Sequence, residues 1–199
     1  WRRAAALCID SLLVGVVYYG VMLGTIFASG MGAMLARPGA ADPASLGSFG
    51  ALLAVVYLSY PVISGLYYVG FESSAKQATL GKMAVGIKVT DNQGKRIGRG
   101  QALGRWASHL LCYMTMYIGY IMAGFTDRKR GLHDMVAGTL VVDRWAFTHE
   151  PGRQRDGLNA AAIIALCVAA LLIVAYVAIV MAIAIPAYNS YLQRAMAGG

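Results

Sequence analysis

The stretch LNAAAIIALCVAALLIVAYVAIVMAIAI, Leu158 to Ile185, holds no charged residue and one strongly polar one, Asn159. A helix rises about 1.5 Å per residue, so about twenty residues cross a hydrocarbon core of about 30 Å. This run is longer than that and apolar on every side, unlike a helix laid on a soluble core. It reads as a membrane span. Working outward from it, the chain is again almost wholly apolar from about Ala4 to Phe27, from about Phe49 to Phe71, and from Gln101 to Phe125. Only 13% of the residues are charged and the mean hydropathy is +0.58. A soluble domain carries about a quarter charged residues. The expectation is an all-α integral membrane protein with three to four transmembrane helices. Residues 1–144 read as one membrane domain, 145–157 as a basic linker and 158–199 as a C-terminal transmembrane helix.

The net charge of +8 sits between the apolar blocks. There the positive-inside bias collects cations and anionic headgroups attract them, so membrane lipids are the expected partner and nucleic acid is not. Cys8, Cys112 and Cys167 are odd in number, lack CxxC spacing and lie within apolar blocks. They read as buried small hydrophobes, with no metal site or cofactor implied. Trp1-Arg2-Arg3 before a long apolar run carrying Asp10 reads as a retained signal anchor, with a few residues missing before Trp1. Gly20, Gly24, Ala28, Gly32 and Ala36 recur every fourth position, a ridge that lets another helix approach closely. Residues 37–48 read as an external loop. Pro61 cannot donate to the Tyr57 carbonyl, which predicts a kink and a freed acceptor at mid-span.

The polar segments pose a problem of topology. Residues 72–105 hold seven cations and residues 126–156 hold six, so a simple crossing by 101–125 would put basic segments on both sides of the membrane. A re-entrant helical hairpin over 101–125, bent near Gly119, would keep both on the cytoplasmic side. Ala84–Thr90 and Lys95–Ile97 flank the turn Asp91-Asn92-Gln93-Gly94, which predicts a small cytoplasmic β-hairpin. Thr79 is placed to cap a short helix before it. Gly138–Asp143 reads as a further strand, able to join the same sheet if 101–125 re-enters.

Asp10 is the first candidate for chemistry. A lone carboxylate in oil costs a few kcal/mol or more, so it needs a partner or a task. Arg3, seven positions earlier, lies on the same helix face and would tune its proton affinity. His133 and Asp134, after Asp127-Arg128-Lys129-Arg130, form a second polar group able to answer pH. His109 reads as a satisfied core histidine. Tyr57 and Pro61 are secondary candidates, as hydroxyl and freed carbonyl in a polar interior. No phosphate loop, nucleophile elbow or zinc-type spacing points to an enzyme.

Three motifs carry a resemblance. Trp1–Asp10 resembles the opening of the RDD family of bacterial membrane proteins, named for one Arg and two Asp. Gln77–Val89 resembles its central motif and Asp127–Thr139 its closing one. The resemblance implies Arg3 (or Arg2), Asp10 and Asp134 as the named residues, and a multi-pass protein of the inner membrane. Sodium/proton antiport has been attributed to a member, which implies protons and monovalent cations as cargo. On that reading Asp10 is the carrier, Arg3 its modulator, and Asp134 or Asp127 a cytoplasmic relay, within a homo-oligomer. The other reading is a non-transporting scaffold or assembly factor with a structural Arg–Asp network. The tail Ala182–Tyr191 is similar to the end of a type IV pilin helix, but Ile164 and Ala169 stand where a pilin has its Gly cleavage site and Glu.

Overall fold

The computed structural model describes residues 1–28 and 43–197. The described helices are α1 Arg2–Ala28, α2 Pro43–Glu72, α3 Leu80–Val85, α4 Arg99–Ala107, α5 His109–Met114, α6 Ile118–Ile121, α7 Leu132–Val136 and α8 Ala160–Ala197. The strands are β1 Ile87–Asp91 and β2 Thr139–Asp143. Three helices are long and apolar enough to cross a membrane: α1, residues Gly50–Glu72 of α2, and residues Ala160–Met196 of α8. The outward sides of all three are apolar and exposed, and every residue of α8 from Ala170 to Met196 is exposed. Such surfaces suit lipid tails rather than water.

Helix α1 is the hub, packing against α2, α3 and α8. Ala5 and Ala6 meet Val85, Ile87 and Ala162 in one small core, and Val89, Ile97 and Ala102 form a second beneath the sheet. Alanines at the crossing let the backbones approach closely, as membrane helix pairs commonly do. Asn159 caps α8, accepting from the Ala162 amide at 2.9 Å and donating to the Ala84 carbonyl at 2.7 Å. One residue thus starts the last helix and ties it to α3.

Several expectations need correction. The loop expected over 37–48 ends by Pro43, where α2 begins, because proline suits the first helical position, which has no intrahelical use for an N–H. Residues 37–42 lie outside the described residues, as do Gly32 and Ala36 of the small-residue ridge. Gly20 and Gly24 of that ridge face open space. Pro61 lies inside α2, as expected of a mid-span proline, and α8 includes Pro186 and reaches Ala197, in keeping with the expected C-terminal helix. Of the cysteines, Cys112 alone is buried; Cys8 is half-buried and Cys167 exposed.

The β-hairpin does not form between 84–90 and 95–97. Its turn does: the Asp91 carboxylate accepts from the amides of Gln93 and Lys95, each at 2.8 Å, and Gly94 takes φ 84. Beyond the turn, Ile97 drops into the core and leaves Lys95 and Arg96 exposed. The five residues of β2, largely β-branched, offer β1 a full-length antiparallel partner, with Ile87 opposite Asp143 and Asp91 opposite Thr139. The small sheet therefore joins segments separated by the third apolar block.

That pairing decides the path of residues 101–125. A straight crossing could not return both flanking segments to one two-stranded sheet. The block breaks into α4, α5 and α6, and it reverses at Met116 and Tyr117, whose φ values are 50 and 66. The Tyr117 amide closes the turn on the Cys112 carbonyl at 2.9 Å. Gly119, expected at the bend, lies just after it.

Candidate functional site

Asp10 projects from α1 toward the start of α3, where it is 1% exposed. Its Oδ2 accepts from the Thr79 hydroxyl at 2.6 Å. Its Oδ1 accepts from the Tyr67 hydroxyl at 2.7 Å and the Gly81 amide at 2.8 Å. Thr79 is the N-cap expected from the sequence, its oxygen also accepting from the Lys82 amide. A side chain at Gly81 would collide with the Ala6 carbonyl and come within 2.7 Å of Asp10 Oδ1, so glycine permits this close approach of α3 to α1. Among the described residues no Lys or Arg nitrogen lies within 4.0 Å of Asp10. The carboxylate is held by neutral donors.

Asp134 is buried in a different way. Arg3 reaches it from α1, donating to Oδ2 at 2.6 Å and to the Val141 carbonyl at 3.2 Å. Arg105 reaches Oδ1 from α4 and donates to the Thr139 hydroxyl at 2.8 Å. The Gly131 amide completes the set at 3.0 Å. Arg105 also forms an ion pair through Nε with Glu72 at the end of α2, at 3.1 Å, and Glu72 in turn pairs with Lys82 of α3. One buried network thus ties α1, α2, α3, α4 and α7 together. Burial pushes the Asp134 carboxyl up, but Arg105, His133 and Arg3 outweigh it and hold it well below the usual range. Burial would lower the Arg105 guanidinium, yet Glu72 and Asp134 raise it above its ordinary value. Both stay charged.

The predicted residues therefore separate. Arg3 pairs with Asp134, not with Asp10. Arg2 pairs with Asp143 at 2.9 Å and donates to the Val85 and Gly86 carbonyls at the end of α3. Asp127 is exposed beside Arg128 and Arg130, outside the network. Tyr57 is 73% exposed; Tyr67, ten residues along α2, is the tyrosine that meets Asp10. Pro61 is half-buried and contacts neither carboxylate group. Glu72, Lys82, Arg105 and Tyr67 were not singled out from the sequence. A usable signal was present for two of them: Glu72 and Arg105 stand at the edges of apolar blocks, where a charge must find a partner.

His133 is buried in α7 with Nε2 3.5 Å from Asp134 Oδ1 and Nδ1 3.4 Å from Cys112 Sγ. His109 lies close by, its ring tilted to that of His133 with the centres 4.2 Å apart, and its Nδ1 lies 2.9 Å from the Tyr120 hydroxyl. Burial, reinforced by Arg105, holds His109 down to about 4 and His133 down to about 2, so both rings are neutral near pH 7. The ligand atoms of His109, Cys112 and His133 lie within 4.8 Å of one another. No spacing in the sequence joins these three; the reversal at Met116 and Tyr117 does.

The sequence profile of the RDD family matches residues 1–138, a range that includes both carboxylate groups and stops before α8. The uncharacterized protein YxaI of Bacillus subtilis (strain 168) is 36% identical over 145 residues, which cover 71% of this chain and 94% of that protein. No solved structure matches.

Proposed function

Because the chain belongs to the RDD family of membrane proteins, we propose that it is a multi-pass protein of the bacterial inner membrane that exchanges protons for a small monovalent cation at Asp10. The observation that carries this reading is the contrast among the buried carboxylates. Glu72 and Asp134 are matched by Arg and Lys, whereas Asp10 has only Tyr67, Thr79 and Gly81. Losing or gaining a proton at Asp10 breaks no ion pair. Its two oxygens and the hydroxyls of Tyr67 and Thr79 form a hard oxygen set suited to Na⁺, and both hydroxyls can rotate between donating and accepting. The cation-rich segments 72–105 and 126–156, joined by the sheet, fit the cytoplasmic face, with 101–125 dipping in and returning. The open faces of Gly20 and Gly24 offer room for a second copy, which so small a bundle needs to enclose a path.

A second reading has its own support. Asp10 also satisfies the first turn of α3, and the packing at Gly81 is tight, as befits a structural lock in a non-transporting scaffold. Purified protein in liposomes, under an imposed pH gradient with and without Na⁺, separates the two. Transport at Asp10 requires Na⁺-dependent proton flux from the wild type and at least a tenfold loss in Asp10→Asn with helix content retained. Wild-type vesicles without Na⁺-dependent flux would leave the scaffold reading standing.

A further inference from the structure

We infer that His109, Cys112 and His133 form a binding site for a borderline-soft divalent cation of the zinc class. Two neutral imidazoles and one thiol are a soft-to-borderline donor set, which selects Zn²⁺ over Mg²⁺ or Ca²⁺. Three protein ligands leave a fourth position open. Zn–S and Zn–N bonds of about 2.3 and 2.0 Å at a tetrahedral angle put the two ligand atoms about 3.5 Å apart. Cys112 Sγ and His133 Nδ1 are 3.4 Å apart already. That separation fits a shared metal.

The surroundings are built in the way metal-binding histidines require. With Nδ1 turned toward the sulfur, His133 presents Nε2 to Asp134 at 3.5 Å, the carboxylate–histidine arrangement that fixes a ring and its tautomer. Asp134 is itself immobilised by Arg3, Arg105 and the Gly131 amide. The Tyr120 hydroxyl steadies His109 through Nδ1. Glycines press on the site from two sides: a side chain at Gly131 would come within 2.7 Å of the His133 ring, and one at Gly119 within 2.9 Å of Cys112 Sγ. Cys112 enters as the thiolate, releasing its proton to solvent as the metal binds. This site shares no donor with Asp10, so it stands or falls apart from transport.

The test uses full-length protein in detergent, as wild type and as Cys8→Ser/Cys167→Ser, whose remaining thiol is Cys112. Titration with Co²⁺ is expected to saturate at one metal per chain with an intense near-ultraviolet thiolate-to-metal band, bleached by one equivalent of Zn²⁺. X-ray absorption of the zinc-loaded double variant is expected to give one sulfur at about 2.3 Å and imidazole nitrogens at about 2.0 Å. In the double variant background, Cys112→Ser should abolish the band, and His109→Gln, at a partly buried position, should weaken Zn²⁺ binding at least tenfold while leaving helix content unchanged. A double variant without the band, or a zinc shell without sulfur, overturns the site whether or not the single-residue variants fold.

Discussion

Asp10 and Asp134 are both buried carboxylates that accept from a glycine amide near the start of a short helix, and there the likeness ends. Asp134 faces two guanidiniums, and its charge is one link in a chain of five charged side chains drawn from five helices. Asp10 meets two hydroxyls and an amide. The first arrangement fixes a charge permanently, because discharging it would strand Arg3 and Arg105 in a poorly solvated interior. The second involves no ion pair, because its partners are two hydroxyls and a backbone amide. Two buried carboxylates of one domain are thus held by different chemistry. Asp134 holds the polar cap onto the bundle; Asp10 stands at the joint between α1, α2 and α3.

The largest effect should come from cutting the charged region at its centre. Arg105→Ala leaves Glu72 and Asp134 short of a partner while buried, and is expected to destabilise by about 3–5 kcal/mol. Reversible unfolding in mixed micelles would measure this. Arg105→Lys should recover only part of the loss, since an ammonium cannot reach Glu72, Asp134 and Thr139 in the way a planar guanidinium does. Asp10→Asn keeps the shape and most of the hydrogen bonds, so the same assay should give a smaller loss, about 1–2 kcal/mol. Equal losses at the two positions would erase the distinction drawn here. The smallest effect belongs to the outlying pair Arg2–Asp143. Burial raises the Asp143 carboxyl, but the Trp145 amide and Arg2 outweigh it and hold it below its ordinary value of 3.8. A lowered carboxyl contributes stability that is fully present above that value and lost as pH falls through the lowered one. Asp143→Asn should therefore flatten the acid limb of the stability curve below about pH 4, by about 0.5 kcal/mol for so small and partly solvated a pair.

The two regions were not equally legible beforehand. The spans followed from the length of apolar runs, because bilayer thickness fixes how many residues a helix needs. Arg3, Asp10 and Asp134 stood out as charges beside or within those runs. Helical spacing put Arg3 on the Asp10 face, whereas a flexible arginine at the helix end reaches across to α7. The turn at Asp91–Gly94 was written in its own residues, yet turn chemistry does not say which strand follows. β1 found β2, some fifty residues on, because that strand matched its length. Arg105 looked like one more cation in a basic segment, and Cys112 like filler in an apolar block. Their roles come from the chain reversal at Met116 and Tyr117, two residues with positive φ that no glycine announced.

The guanidinium of Arg3 closes on a carboxylate 131 residues later in the chain, and that of Arg2 on one 141 residues later. Synthesis at about 5–20 residues per second separates the first from its mate by roughly 7 to 26 seconds. Until then neither Arg2 nor Arg3 has the carboxylate it pairs with in the folded chain. The same two side chains later become the clasp that records the arrival of the last part of the domain.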